Sequence, residues 1–353
     1  MENIEIKRAV SKRIKCVIWD LDDTLWDGTL TEGGGERLRD GVYETLKLLD
    51  SRGILLSIAS KNDYYAAMRA LKKIDPELPK LFLCPQISWR AKSVSVAKIA
   101  ESLNLKMCNM AFIDDSELQR DEVNFAHPDI TVYDASFASK LADLPEMQVK
   151  FITEDSANRR NMYISDMKRD SAKNEFAGSD EAFMKTLGMK LQITAVDESS
   201  LRRAEELTVR THQLNSTGYT YSYEELTSFI NSPSHVFLIA GLTDKYGDSG
   251  KVGLLLMEDI GDAYLLKLLI VSCRVMTRGV GGTLLNHAIK LAAAAGKSLR
   301  AEYLETEYNR IMYVTYKLAG FEEIHESDDG ANVVLEYTKT DIPEYPPYIE
   351  VEA

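Results

Sequence analysis

The sequence predicts an α/β protein, with a parallel-sheet domain followed by an α+β domain. From residue 14 to about 134, short apolar runs alternate with amphipathic helical stretches. That is the pattern of strands covered by helices on both faces. The polar segments DLDD, SKND and DDS each follow an apolar run directly, so they should gather at one rim, where strands of such a sheet end. Beyond residue 190 the order changes to three long strands separated by turn-rich segments, then helix, strand, helix and strand. This reads as an antiparallel meander carrying helices.

In chain order, CVIW (16–19), ILLSIA (54–59), LFLC (81–84), MAFI (110–113) and ITVY (130–133) read as strands. Residues 41–51, 64–74 and 91–103 read as helices between them. Residues 1–150 form the first domain. Residues 151–190 are highly charged with weak helical periodicity, and read as a connecting helical segment. The second domain spans 191–340, with strands HVFLIAGL, KVGLLLMED and AYLLKLLIVS. A helix at 283–295, the strand SLRAEYL, a helix at 308–319 and a strand at 331–337 complete it. The acidic, Pro-interrupted tail, 341–353, reads as a linker.

A chain of 353 residues has room for two domains. Its net charge of -13 disfavours nucleic acid as a partner, yet leaves room for a locally positive pocket that takes a phosphorylated small molecule. Cys16, Cys84, Cys108 and Cys273 are too few and too scattered for a disulfide framework, and lack metal-ligand spacing. A reducing, cytoplasmic compartment is therefore expected. No secretory signal and no apolar span of bilayer length is read, so no membrane partner is expected.

The first candidate site starts at VIWDLDDTLW. Asp20, at a strand end, can attack phosphorus to form an aspartyl-phosphate. Asp22 can protonate the leaving oxygen and later activate water. Ser60 can donate to a phosphoryl oxygen, and Lys92 can neutralise charge in the transition state. Mg2+ is the expected cofactor, held by Asp20, Asp22 and Asp114; Asp115 is the lesser candidate, expected to hydrogen-bond the loops. The segment GTLTEGGGERLRDG reads as a hairpin flap over this site and is too short for a cap domain.

The second candidate site is LLIVSCRVMTRGVGGTLLNHAI, a strand followed by Cys273-Arg274 and a Gly-rich turn into a helix. Gly279 and Gly281 allow close backbone approach, and the free N–H groups of the helix start suit a phosphate. Cys273, beside Arg274 and near Arg278, is expected to serve as a nucleophile with a lowered pKa. The alternative is a small buried hydrophobe. His212 is a general-base candidate, orienting an acyl group with Gln213 and Asn215, or a structural residue. Tyr316, four residues before Gly320, stands where the pattern of GNAT-type acyltransferases, which this segment resembles, often has a tyrosine that can protonate a departing thiolate; the alternative is a core residue on a helix face.

The ordered set DxDxT, Ser, Lys and DD resembles the haloacid dehalogenase-type phosphatases, with their Rossmann-like sheet, over roughly residues 14–150. Residues 190–340 resemble a GNAT-type acyltransferase fold, with Met276 where that pattern has Arg or Gln. Together, KCVIWDLDDTLWDG, SKND, SWRAK, FIDDSELQRDEV, RTHQLNSTGY, KYGDSGKVG and SCRVMTRGVG closely resemble the FkbH-like family of polyketide pathways. The resemblance implies a bifunctional glyceryl transferase/phosphatase. Such an enzyme takes glyceryl from 1,3-bisphosphoglycerate, releases both phosphates and loads the phosphopantetheine thiol of an acyl carrier protein. Thr24, Lys61, Asn62 and Arg274 would then join Ser60 in binding substrate phosphate. Arg278, Gly279, Gly281 and Tyr316 would line the pantetheine arm. Acyl transfer at the metal site with a structural Cys273 stays open. The alternatives are an N-acetyltransferase fused to a phosphatase, and a catalytically silent carrier-docking module.

Overall fold

The computed structural model describes residues 14–35, 37–211, 214–326 and 332–353. Two compact units divide the chain, Met1–Ile164 and Ser165–Ala353.

The first unit is built on five parallel strands: β1 (Cys16–Trp19), β2 (Leu55–Ser60), β3 (Gln86–Ile87), β4 (Met110–Asp114) and β5 (Thr131–Asp134). Their order is β3-β2-β1-β4-β5. The connecting helices are α1 (Val42–Ser51), α2 (Tyr64–Ile74), α3 (Lys92–Leu103) and α4 (Glu117–Ala126). Alternation along β1 feeds both faces of the sheet. Val17 and Trp19 pack with Leu46 and Leu49 of α1 and Ala67 and Leu71 of α2. Cys16 and Ile18 pack with Val96 and Ile99 of α3 and Val123 of α4. Cys16 is thus a core residue, and burial pushes its thiol up.

LFLC is not a strand, contrary to the sequence reading. Leu81 ends a 3-10 turn begun at Leu78, Phe82 makes a lone bridge to Leu56, and the strand forms later, at Gln86–Ile87. Proline explains the shift: Pro79 sits at the turn's start and Pro85 lacks the N–H a ladder needs. Between them Cys84 takes a left-handed φ of 50°.

The 151–190 segment carries α5 (Glu154–Ala157), α6 (Arg159–Glu175) and α7 (Asp180–Lys185). In the second unit an eight-stranded sheet runs β11-β12-β10-β9-β8-β7-β6-β13. Its strands are β6 (Met189–Ala195), β7 (His235–Asp244), β8 (Gly247–Asp259), β9 (Ala263–Val271), β10 (Ser298–Leu304), β11 (Phe321–Glu326), β12 (Asn332–Tyr337) and β13 (Ile349–Glu352). The expected meander is β7-β8-β9, antiparallel throughout. Helices α8 (Glu198–Arg210), α9 (Tyr223–Ile230), α10 (Val280–Ala294) and α11 (Arg310–Ala319) complete the α+β unit. Leu284, Leu285 and Ala288 of α10 and Met312 and Tyr316 of α11 share one core with Leu255, Leu266 and Leu269 of the sheet.

The tail corrects the linker reading. Ile349–Glu352 adds β13 in parallel to β6. Ahead of that strand, Tyr345 Oη lies 2.8 Å from His287 Nδ1, and Asn286 Nδ2 donates to Glu344 O. The tail is pinned along α10 before it reaches the sheet.

Candidate functional site

The carboxyl ends of β1, β2 and β4 bring the acidic, hydroxyl and lysine residues of the first unit together. Asp20 follows β1, and its backbone N–H donates to Ile113 O of β4 at 3.0 Å. Asp114 ends β4, and Lys92 opens α3. Asp20, Lys92 and Asp114 are all buried. Lys92 Nζ lies 2.8 Å from Asp20 Oδ1 and also contacts Asp114 Oδ2. The remaining Asp114 oxygen, Oδ1, accepts from Ser116 N at 2.9 Å.

These charges shape one another. Burial pushes the Asp20 carboxyl up to about 6, with Lys92 pulling down and Asp114 adding to the rise. Burial raises Asp114 as well, against the pull of Lys92. For Lys92, burial disfavours the ammonium, but the two carboxylates outweigh it and hold its pKa above the usual lysine value.

The metal set expected from the sequence is altered in one member. Carboxylate oxygens of Asp20, Asp114 and Asp115 lie within 4.8 Å of one another. Asp22 stands outside that group: Oδ1 accepts from Trp26 Nε1 at 2.9 Å and from Leu30 N at 3.0 Å, and Oδ2 from Asn62 Nδ2 at 3.0 Å. Three donors meet this one carboxylate, so in this conformation Asp22 anchors the flap. The tandem acids of FIDDSE were the only sequence signal for Asp115. An all-oxygen set of three carboxylates suits a hard cation such as Mg2+.

The other expected phosphate-site residues surround this group. Asn62 Nδ2 also donates to Ser60 Oγ at 3.1 Å, so Ser60, Asn62 and Asp22 form one chain. Thr24 Oγ1 accepts from Asp115 N at 3.0 Å, which ties the β1 loop to the β4 loop. Lys61 is partly exposed between Ser60 and Asn62.

In the second unit Cys273 is half-buried and opens a 3-10 turn, Cys273–Arg278, directly after β9 and Ser272. Gly279, at φ 77°, ends that turn and starts α10. Conformation favours glycine there, and a side chain would also meet Tyr348 Oη at 2.8 Å unless that tyrosine shifted. Gly281 lies within α10.

Arg278 is engaged within the protein. Its guanidinium is buried, contacts Asp166, donates to Ser249 Oγ at 3.0 Å and lies 3.8 Å from Asp244. Asp244 also takes both Nε and Nη2 of Arg169, at 2.7 and 2.9 Å. Asp166 and Asp244 hold Arg278 in a buried ion network, an arrangement not expected from the sequence. No spacing in the sequence announces that pairing. Arg274 donates through Nη2 to Ser249 O at 2.9 Å, while its Nε and Nη1 make no hydrogen bond. Tyr316 is fully buried with its ring 5.4 Å from Phe321, and burial drives its phenol pKa up. Its place is in the core. His212 and Gln213 lie outside the described residues, while Asn215 holds the next turn through Thr217 N, Gly218 N and Tyr219 O.

Among the described residues no helix is long and apolar enough to cross a membrane. No protein-family model matches the sequence, and no curated protein matches it. Among solved structures, part of the chain is similar to the N-terminal part of the protein BF1531 from Bacteroides fragilis, which contains a phosphatase domain complexed with Mg. Identity is 25%, coverage 39% of this chain and 41% of that one, and the TM-score 0.35. Another part is similar to the ribosomal-protein-S18-alanine N-acetyltransferase from Escherichia coli, at 17% identity, covering 44% of this chain and 99% of that one, with a TM-score of 0.33. Arabidopsis thaliana NAA60 in complex with acetyl-CoA is similar at 14% identity, covering 42% of this chain and 97% of that one, with a TM-score of 0.32.

Proposed function

We propose that the chain is a Mg2+-dependent phosphatase joined to an acyltransferase, and that it moves a glyceryl unit from 1,3-bisphosphoglycerate to the phosphopantetheine thiol of an acyl carrier protein. The observation that carries the phosphatase half is the buried contact of Lys92 with Asp20 and Asp114, beside the three-carboxylate group. The glyceryl half rests on the motif resemblance and on Cys273 beside the Gly279 turn.

In the acyl half, the Cys273 thiolate attacks C1 of the acyl phosphate. The C1–O bond to phosphorus breaks, inorganic phosphate leaves, and a thioester remains. The carrier thiol later attacks that carbonyl, loses its proton and frees Cys273 with its thiol restored.

In the phosphatase half, an Asp20 oxygen attacks the C3 phosphorus and the bond from phosphorus to the C3 oxygen breaks. The departing oxygen takes a proton from Asp22, in a conformer released from Trp26, Leu30 and Asn62. Water, giving its proton back to Asp22, then attacks phosphorus; the bond to Asp20 breaks and phosphate leaves. Lys92 holds positive charge where negative charge builds, and Ser60 orients a phosphoryl oxygen. Asp20, Asp114 and Asp115 would hold Mg2+, which supplies further neutralisation of the phosphoryl group.

Mass spectrometry of the protein mixed with 1,3-bisphosphoglycerate and Mg2+ tests the proposal. A glyceryl adduct absent in Cys273→Ala is the expected result. Consumption of acetyl-CoA with an amine, and no adduct, would overturn it.

A further inference from the structure

The rim of the parallel sheet carries an aromatic and basic surface that the chemistry above does not use. Trp89 and Tyr65 are each 72% exposed. The segments that lead to them leave neighbouring strand ends, because β3 pairs with β2 and Ser88 N donates to Ser60 O at 3.0 Å. Trp89 follows one side of that bond, and the other side leads through Asn62 into α2. Three residues beyond Trp89 is the buried Lys92, so the surface borders the phosphoryl site.

Along α2 the exposed residues Tyr65, Arg69 and Lys72 are spaced i, i+4 and i+7, which places them on one helical face. Arg90, also exposed, adjoins Trp89. The acids flanking this face are already engaged. Asp63 accepts from Ala66 N as the helix cap, Asp75 accepts from Tyr43 Oη and Glu77 N, and Glu77 pairs with Lys80 at 2.6 Å. Arg69, Lys72 and Arg90 thus set three cations beside two large exposed aromatics on a chain whose net charge is -13, while Asp63 and Asp75 are turned to neutral donors.

We infer that Trp89, Tyr65, Arg69, Lys72 and Arg90 form the docking surface for the acyl carrier protein, contacted through an acidic face of that partner; the inference rests on the function proposed above. Exposed Trp, Tyr and Arg are the residue types that dominate protein interfaces. The three cations steer an acidic protein against the repulsion of the rest of the chain. They are too few to track a nucleic-acid backbone, where binding at ordinary salt takes on the order of six to ten phosphate contacts. Docking beside Lys92 also accounts for a flap too small to enclose the site, because the partner itself covers the mouth.

The test uses the full chain and a phosphopantetheinylated acyl carrier protein of negative net charge, with the dissociation constant measured by calorimetry. Trp89→Ala with Tyr65→Ala, and separately Arg69→Glu with Lys72→Glu, should each weaken binding by about tenfold or more. Added NaCl should weaken the wild type and have less effect on the charge-reversed variant. Phe125→Ser, which changes an aromatic 90% exposed at the far end of α4, should bind as the wild type does. An unchanged Mg2+-induced thermal shift in each variant shows that the fold is intact.

Variants that bind the carrier as tightly as the wild type overturn the docking surface and leave the proposed function standing. A wild type that forms the Cys273 glyceryl adduct yet shows no carrier binding also overturns the surface alone. Absence of both the adduct and carrier binding overturns the function as well. Loss of single-stranded DNA binding or of self-association on charge reversal, with carrier binding unaffected, overturns the choice of partner.

Discussion

Lys92 Nζ stands 2.8 Å from Asp20 Oδ1 with both side chains buried, so the ends of β1 and α3 are joined by an ion pair that water barely reaches. Lys92 also contacts Asp114. Removing the lysine leaves two buried carboxylates facing each other. Lys92→Met should therefore cost about 3–5 kcal/mol of stability without metal. Mg2+ should restore part of that loss by replacing the missing positive charge. Thermal denaturation with and without Mg2+ measures both effects. A variant as stable as the wild type in EDTA would show that the ion pair contributes nothing.

Asp20→Asn should lower release of the C3 phosphate by about a thousandfold or more, because the amide is no nucleophile for phosphorus, while the C1 phosphate still leaves as Cys273 is acylated. The Cys273 adduct should survive that change, since acyl transfer uses C1 and not the C3 phosphate. Phosphate release and adduct mass, followed in the same sample, separate the two activities. Loss of both together would mean that acyl transfer takes place at the carboxylate site.

The two flanking aspartates should divide by their geometry. Asp115 belongs to the carboxylate group, while Asp22 is held by Trp26, Leu30 and Asn62. Asp115→Asn should raise the Mg2+ concentration needed for half-maximal thermal shift by roughly tenfold. Asp22→Asn should change Mg2+ affinity much less, and should instead increase amide exchange at Leu30, whose N–H loses its charged acceptor. The reverse pattern would restore the metal set expected from the sequence.

How much of this was legible in the chain depends on whether the cause was local. The runs CVIW and MAFI, each ending in aspartate, identify β1 and β4 because a strand buried on both faces has to be continuously apolar. LFLC has the same composition and fails, because Pro79 and Pro85 deny it a ladder. MKLQITA alternates buried and exposed along β6, yet the boundary set at 190 cuts through it and no strand is read there. IEVE alternates too, but nothing local says that it pairs with a strand some 160 residues earlier. At the sites, motif spacing located Asp20, Lys92 and Asp114. Spacing does not fix side-chain direction in a turn, so it did not show that the Asp22 carboxylate turns to Trp26, Leu30 and Asn62 while that of Asp115 lies with Asp20 and Asp114. The ion pairs of Arg278 were not legible because its partners, Asp166 and Asp244, lie on other elements.

A pH dependence follows from burial of Asp20, whose carboxyl is pushed up to about 6 in the metal-free protein. Because the fold favours the neutral acid, its contribution to stability is fully present below about pH 4 and is lost as pH rises through about 6. Mg2+ needs the carboxylate. Its affinity should therefore increase as pH rises through that window, with proton release on binding. Calorimetry in two buffers of different ionisation heat counts those protons. An affinity flat from pH 5 to 7, two values spanning that window, would show that Asp20 is already ionised.

Gly279 has two separable constraints: a left-handed φ of 77°, and Tyr348 Oη 2.8 Å from where a Cβ would sit. Gly279→Ala should cost about 1–2 kcal/mol for the backbone conformation alone, with a further loss from the contact. Tyr348→Ala in the same background should recover the contact part and leave the backbone part. A double-mutant cycle by urea denaturation measures the coupling. Full recovery would mean that φ is relaxed at no cost, and no recovery would mean that Tyr348 moves aside freely. Because Tyr348 stands just before β13, partial recovery also reports how firmly the tail is held against the start of α10.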